Sequence, residues 1–141
     1  MMTHTRLAAL AAAAFVAAGC SSKTPTEANG THSVVLRPGV VAQVGDALNF
    51  TLIRIDNDSR CATDVQCVSA GDATVVFAAV SPDPLGTTPA VQFLHTNAEP
   101  RSLVLSGYRI MLDSLLPRPV STRVIAQSEY VAYMSVVSLP D

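Results

Sequence analysis

Leu48-Asn49-Phe50-Thr51-Leu52-Ile53 is the stretch whose reading decides the fold. Leu48, Phe50 and Leu52 alternate with Asn49, Thr51 and Ile53. A period of two puts one set on each face of a pleated backbone, which is the pattern of a half-buried β-strand. Upstream, Val34 to Leu36 and Val40 to Val44 are short β-branched runs separated by Pro38-Gly39. Downstream, a long loop from Asp56 to Ala70 leads into Ala73 to Val80, a near-continuous apolar run suited to a central strand. Ser81-Pro82-Asp83-Pro84 and Gly86 to Pro89 then exclude helix and central strand alike. Val91, Phe93 and His95 alternate, and Asn97 to Pro100 breaks that run. Leu103 to Leu105 and Tyr108 to Leu112 flank Ser106-Gly107, a hairpin signal. After Pro117 and Pro119, Val120 to Ala126 reads as an edge strand or a loop, and Tyr130 to Val137 as the closing strand.

The expected fold is therefore all-β: an antiparallel β-sandwich, immunoglobulin-like, of seven to eight short strands over residues 34–141. Half-buried strands need a second sheet to cover them. The nine prolines fall outside the proposed strands, as this assignment requires. No amphipathic helix and no internal repeat is evident.

The N-terminal end reads differently. Arg6 is followed by an unbroken apolar run, Leu7 to Ala18. A membrane-crossing helix needs ~20 such residues, whereas a signal-peptide core needs ~7–15. Ala17-Ala18-Gly19-Cys20 resembles the bacterial lipobox, with Ala17 where Leu is commoner. That resemblance implies a cleaved signal peptide over residues 1–19 and a diacylated Cys20, two chains being enough for stable anchoring. The expected address is the cell envelope, with the membrane as a partner through the lipid. Residues 20–33 then form a polar, flexible tether. Ser21 after the lipid cysteine, in place of Asp, resembles the outer-membrane pattern of Gram-negative lipoproteins.

From Cys20 onward the chain keeps eight basic and eleven acidic residues, a formal charge of −3, with Lys23 its one lysine. A chain without a basic patch is a poor partner for nucleic acid. Of its three cysteines the lipobox takes one, leaving Cys61 and Cys67 with five residues between them. In an oxidising compartment an even remainder reads as a disulfide. A metal site would want more ligands than His32 and His95 supply, and a bridged sulfur is no nucleophile.

Asp58-Ser59-Arg60-Cys61-Ala62-Thr63-Asp64-Val65-Gln66-Cys67-Val68-Ser69-Ala70-Gly71-Asp72-Ala73 resembles the "DSRCP…V.CVWAG.A" stretch of small uncharacterised bacterial lipoproteins and secreted domains. Ala62 stands for that motif's Pro and Ser69 for its Trp, so whatever the Trp does there is missing here. The resemblance implies export and a stapled loop, and it brings no activity with it.

Read from its own residues, the loop sets Arg60 among Asp56, Asp58, Asp64 and Asp72, an arrangement that favours a local bidentate ion pair. Gly71 suits a special backbone conformation where the loop re-enters a strand. The bland reading is a stapled corner. The sharper one makes Asp58, Arg60, Asp64 and Asp72 a recognition surface.

Catalytic and cofactor motifs fail. Asp56-Asn57-Asp58 opens like a calcium loop, but Arg60 and Cys61 occupy positions that need a ligand and a glycine. No nucleophile elbow, phosphate loop, dinucleotide turn or zinc-protease motif occurs. No cofactor or metal is expected. His95 reads as a structural histidine, and Tyr108, Tyr130 and Tyr133 as strand residues. The leading expectation is a non-enzymatic interaction module with an envelope protein partner. Behind it stand a receptor for an ion, saccharide or cell-wall fragment, and a hydrolase without a recognisable motif.

Overall fold

The computed structural model of the chain describes residues 30–45, 48–81 and 89–140. The signal-peptide and Cys20 readings lie outside the described residues, as does most of the proline-rich connection after Ser81. Eight strands form: β1 (Thr31–Leu36), β2 (Val41–Val44), β3 (Leu48–Asp56), β4 (Thr74–Val80), β5 (Ala90–His95), β6 (Ser102–Leu105), β7 (Tyr108–Leu116) and β8 (Val131–Ser138). A single 3-10 turn, Gln127–Glu129, precedes β8. Val120 to Ala126 is loop, apart from one isolated bridge between Val120 and Arg123.

The strands make two four-stranded antiparallel sheets, β1-β8-β7-β6 and β2-β3-β4-β5, facing each other as a sandwich. The alternation read from sequence is the alternation seen. Leu48, Phe50 and Leu52 are buried while Asn49 and Thr51 are not. Phe50 and Phe77 meet in a tilted pair at 6.1 Å, and Leu36, Leu94, Ile110, Met134 and Val136 complete the centre of the core.

The strand order departs from the immunoglobulin-like expectation. Immunoglobulin domains connect strands as a Greek key. Here β2-β3-β4-β5 and β6-β7-β8 are meanders, and the chain passes between sheets at residues 37–40 and 96–101. β1 closes the circuit by pairing with β8 from Thr31↔Val137 to Leu36↔Ala132. That pairing also corrects the boundary set at residue 34. Thr31, His32 and Ser33 belong to β1, with Thr31 and Ser33 pointing outward, so their polarity is that of an edge strand's solvent face.

A second feature was invisible in the sequence. β2-β3-β4 and β6-β7-β8 share one architecture: a four-residue strand, a connection of two or three residues, a nine-residue strand, a long loop and a return strand. β3 and β7 each carry a bulge at their sixth residue, Ile53 and Asp113. Each long strand outruns its short partner, because β2 pairs only as far as Thr51 and β6 only as far as Met111. The distal halves of β3 and β7 are therefore left with an open edge, and both open edges lie at the same end of the sandwich. The loops 57–73 and 117–130 gather there. Thr31, the first residue of β1, is at the other end, beside Ser138 and the Ser106-Gly107 turn.

Candidate functional site

The loop after β3 is built as a second, irregular ribbon. Ser59 N–H donates to Asp72 O at 2.7 Å, and Cys61 N–H to Ala70 O at 2.8 Å. The Cys61–Cys67 disulfide, Cα atoms 5.9 Å apart, closes the tip. By loop-closure entropy a ring this small stabilises by about 2–2.5 kcal/mol. Gly71 turns the ribbon back at φ +65°, and a Cβ there would fall inside the Ser59 carbonyl.

Arg60 does not reach outward. Its Nε and Nη2 donate to the two carboxylate oxygens of Asp58 at 2.8 and 2.7 Å. Nη1 donates to Leu115 O at 2.6 Å, and Nη2 also to Pro117 O at 2.9 Å. The Tyr130 hydroxyl donates to the same Asp58 carboxylate at 2.9 Å. Both partners of the ion pair keep only 12% of their side-chain surface exposed. The guanidinium thus covers carbonyls on the open half-edge of β7. Gln127 does the matching work on β3, accepting from Ile55 N–H at 2.9 Å and donating to Ile55 O at 2.8 Å. Burial pushes the Asp58 carboxyl up, but the bonds from Arg60 and Tyr130 and the Arg60 charge outweigh it and hold it below the usual range. Burial, and then Asp58, push the Tyr130 phenol up to about 12.

Asp72 works apart from Arg60. It caps the turn after β5, accepting from Asn97 N–H at 2.8 Å, Ala98 N–H at 3.3 Å and the Thr96 hydroxyl at 3.0 Å. His95 Nδ1–H donates to it at 2.6 Å. Burial raises this carboxyl, yet those four donors together bring it down to about 2. Asp64 ties the two loops together, its carboxylate accepting from Ser121 N–H at 2.8 Å and the Ser121 hydroxyl at 2.6 Å. The Ser121 bonds lower its carboxyl as well. Thr63 N–H donates to Pro119 O at 2.9 Å beside it. Asp56 pairs with Arg54 on the strand.

The four residues read as one recognition surface are therefore dispersed into three structural tasks: a latch (Asp58, Arg60), a clamp between loops (Asp64) and a turn cap (Asp72). The local ion pair foreseen for Arg60 is present, with Asp58 alone among the acidic residues. Sequence reading missed Tyr130 and Gln127, which act across 72 positions and carry no local signal.

What the loop end presents to solvent is different. Val68 is fully exposed, Val124 is 92% exposed, and Val65 and Val120 stand beside the Asp64–Ser121 clamp with side chains partly free. Between the loops and β7 lies an open cavity of about 470 Å³, lined by Arg60, Thr96, Asn97, Ser114, Leu116 and Arg118 among others. Arg118 has no carboxylate within ion-pair distance among the described residues. No group of three potential metal ligands converges among the described residues. No protein-family model, curated protein or solved structure matches this chain.

Proposed function

We propose that the chain is an exported lipoprotein, held in the cell envelope by a lipid on Cys20, whose β-sandwich is a non-enzymatic interaction module. Under this reading the organism's outer membrane, where it has one, is the site of anchoring, and the partner is another envelope protein. One observation carries the interaction reading. Two loops are clamped to each other by Asp64–Ser121 and Thr63–Pro119, stapled by a disulfide, and present exposed valines 65, 68, 120 and 124 at the end away from Thr31. Exposed apolar side chains on a rigid loop frame are what a protein interface uses. Strands of eight or nine residues put that surface about 25–30 Å from the tether.

The test is in-cell cross-linking of the full chain followed by mass spectrometry, beside Val68→Glu and Val124→Glu variants. An abundant partner lost in both, and kept in a Val104→Glu control on β6, supports the module. Efficient cross-linking that captures no partner overturns it. The cavity favours a second reading, a small-ligand receptor, because its volume is in the range of ligand sites and Arg118, which lines it together with Asp113, pairs with no carboxylate among the described residues. A ligand at 100-fold its dissociation constant adds ~2.7 kcal/mol of stability, which a thermal-shift screen reads directly.

A further inference from the structure

Two central rows on the outer face of the β2-β3-β4-β5 sheet are apolar in a way that the core does not explain, bordered by Gln43-Asn49 on one side and Asp56-Thr74-His95 on the other. Val76 is 5% exposed, yet it points away from the core cluster. It is buried by its neighbours on the solvent side: the β4–β5 register sets Phe93 beside it, and the β3–β4 register sets Arg54 beside it, next to the bulged Ile53. The adjoining row runs Val41, Thr51, Ala78, Val91 across all four strands. Val41, Ile53, Val91 and Phe93 are 43–63% exposed. The other sheet's outer face is interrupted by Ser33, Ser102, Ser114, Ser135, Arg109 and Asp113. Charged side chains on this face are already bonded within the protein. Arg54 is held by Asp56 at 2.9–3.0 Å, and the Asp72 carboxylate beside His95 accepts from the Asn97 and Ala98 N–H groups. A contiguous exposed apolar surface marks a contact site.

We propose that this face rests on the lipid bilayer. The inference builds on the lipid-anchor reading and adds a second membrane contact to it. Between Cys20 and Thr31 lie ten residues, at most ~35 Å of chain. The tether joins β1, an edge strand of the other sheet that packs alongside β2, the edge strand of the apolar sheet. An anchor that short keeps the bilayer at a high effective concentration beside this face, so even a weak apolar surface is engaged. Among the described residues, a face whose charged groups are all bonded within the protein can enter the interface without stranding an ion there. With the strands lying along the membrane, the loop end points sideways, toward neighbours in the same leaflet.

The chain contains no tryptophan, so one introduced residue reports alone. The lipidated full chain is reconstituted into phosphatidylcholine vesicles, with and without brominated acyl chains, as Phe93→Trp and, on the opposite outer face, Tyr133→Trp. Intact mass establishes whether Cys20 carries lipid. The expected result is a blue-shifted emission from Phe93→Trp that loses most of its intensity to brominated lipid, and no change for Tyr133→Trp. Equal behaviour of the two variants overturns the proposal. So does a blue shift of Phe93→Trp that grows with protein concentration in the absence of lipid, which would mean that a second copy covers the face. An unlipidated Cys20 defeats the anchor reading separately. In that case both variants are anchored instead through a polyhistidine tag at the N-terminal end to nickel-chelating lipid in the same vesicles, and an unquenched Phe93→Trp there overturns the face contact too.

Discussion

Asp72 collects four donors from three successive residues and a histidine, and this fixes the sign of its pH dependence. Its folded carboxyl sits at about 2 against an ordinary 3.8, so the native state releases the proton more readily than the unfolded chain. Its contribution is complete above pH 3.8 and disappears as pH falls through about 2. With 27% of the side chain still open to solvent, that contribution is about 1–2 kcal/mol. Asp72→Asn therefore lowers stability by this amount at pH 7, and urea melts of the two proteins should converge as the pH approaches 2. A constant gap would mean that the carboxylate's charge is irrelevant to the cap. Gly71, one position earlier, gives a sharper contrast. Its φ of +65° and the Ser59 carbonyl both forbid a side chain, while Gly107, also at positive φ, has open space around it. Gly107→Ala should cost about 1–2 kcal/mol. Gly71→Ala should cost about 3 kcal/mol or more, or prevent folding, as thermal melts would show. The need for glycine at 71 was legible in the sequence. The role of Asp72 was not, because its partners lie 23–26 positions away on a turn that only the folded sheet brings near.

At the scale of elements, the loops do for β3 and β7 what longer edge strands would have done. Open strand edges invite pairing with other chains, and natural proteins cover them. Here Arg60 covers Leu115 and Pro117, and Gln127 covers Ile55. Arg60 is also paired inside a mostly buried site, so its loss strands the Asp58 carboxylate. Breaking such a pair costs about 3–5 kcal/mol, more than removing both charges. Arg60→Met should show that loss in urea denaturation. Adding Asp58→Asn should restore part of it, with a coupling energy of about 1 kcal/mol or more. Simple additivity would show that the ion pair is incidental and that carbonyl capping carries the effect. Both variants should expose the β7 edge. The strands themselves were readable because alternation is a local property, but β3 and β7 run three and four residues beyond the ends expected at Ile53 and Leu112. The bulges at Ile53 and Asp113 were not readable, since each side chain fits the local pattern of its neighbours and only the cross-strand register reveals the extra residue. The duplicated architecture was hidden for the same reason. Core positions 48, 50, 52 and 55 match 108, 110, 112 and 115 in place but not in residue type, apart from the two leucines at 52 and 112.

For the whole molecule the consequence of this strand order is that the first and last described strands, β1 and β8, pair to finish the fold. Within each sheet the strands pair with their sequence neighbours, except for β1, which waits for β8 and then seals the sandwich. Pairings of such high sequence separation form late and slowly. They also leave the described N-terminal segment supporting the core from its edge: Val34 and Leu36 are buried, and Gly30 O accepts from Ser138 N–H at 3.2 Å. A reading that begins the domain at Val34 would cut three residues that pair with Ser135, Val136 and Val137. A chain shortened to start at Val34 keeps every core side chain of β1 but loses half of the ladder that holds it. It should be less stable than one starting at Gly30 by about 1–3 kcal/mol, seen as a lower urea midpoint at unchanged slope. Amide exchange should locate the loss in Val34 to Leu36 and the facing half of β8, with β3 and β4 unaffected. Equal midpoints for the two chains would mean that β1 is held by Val34 and Leu36 alone, and that residues 31–33 belong to the tether after all.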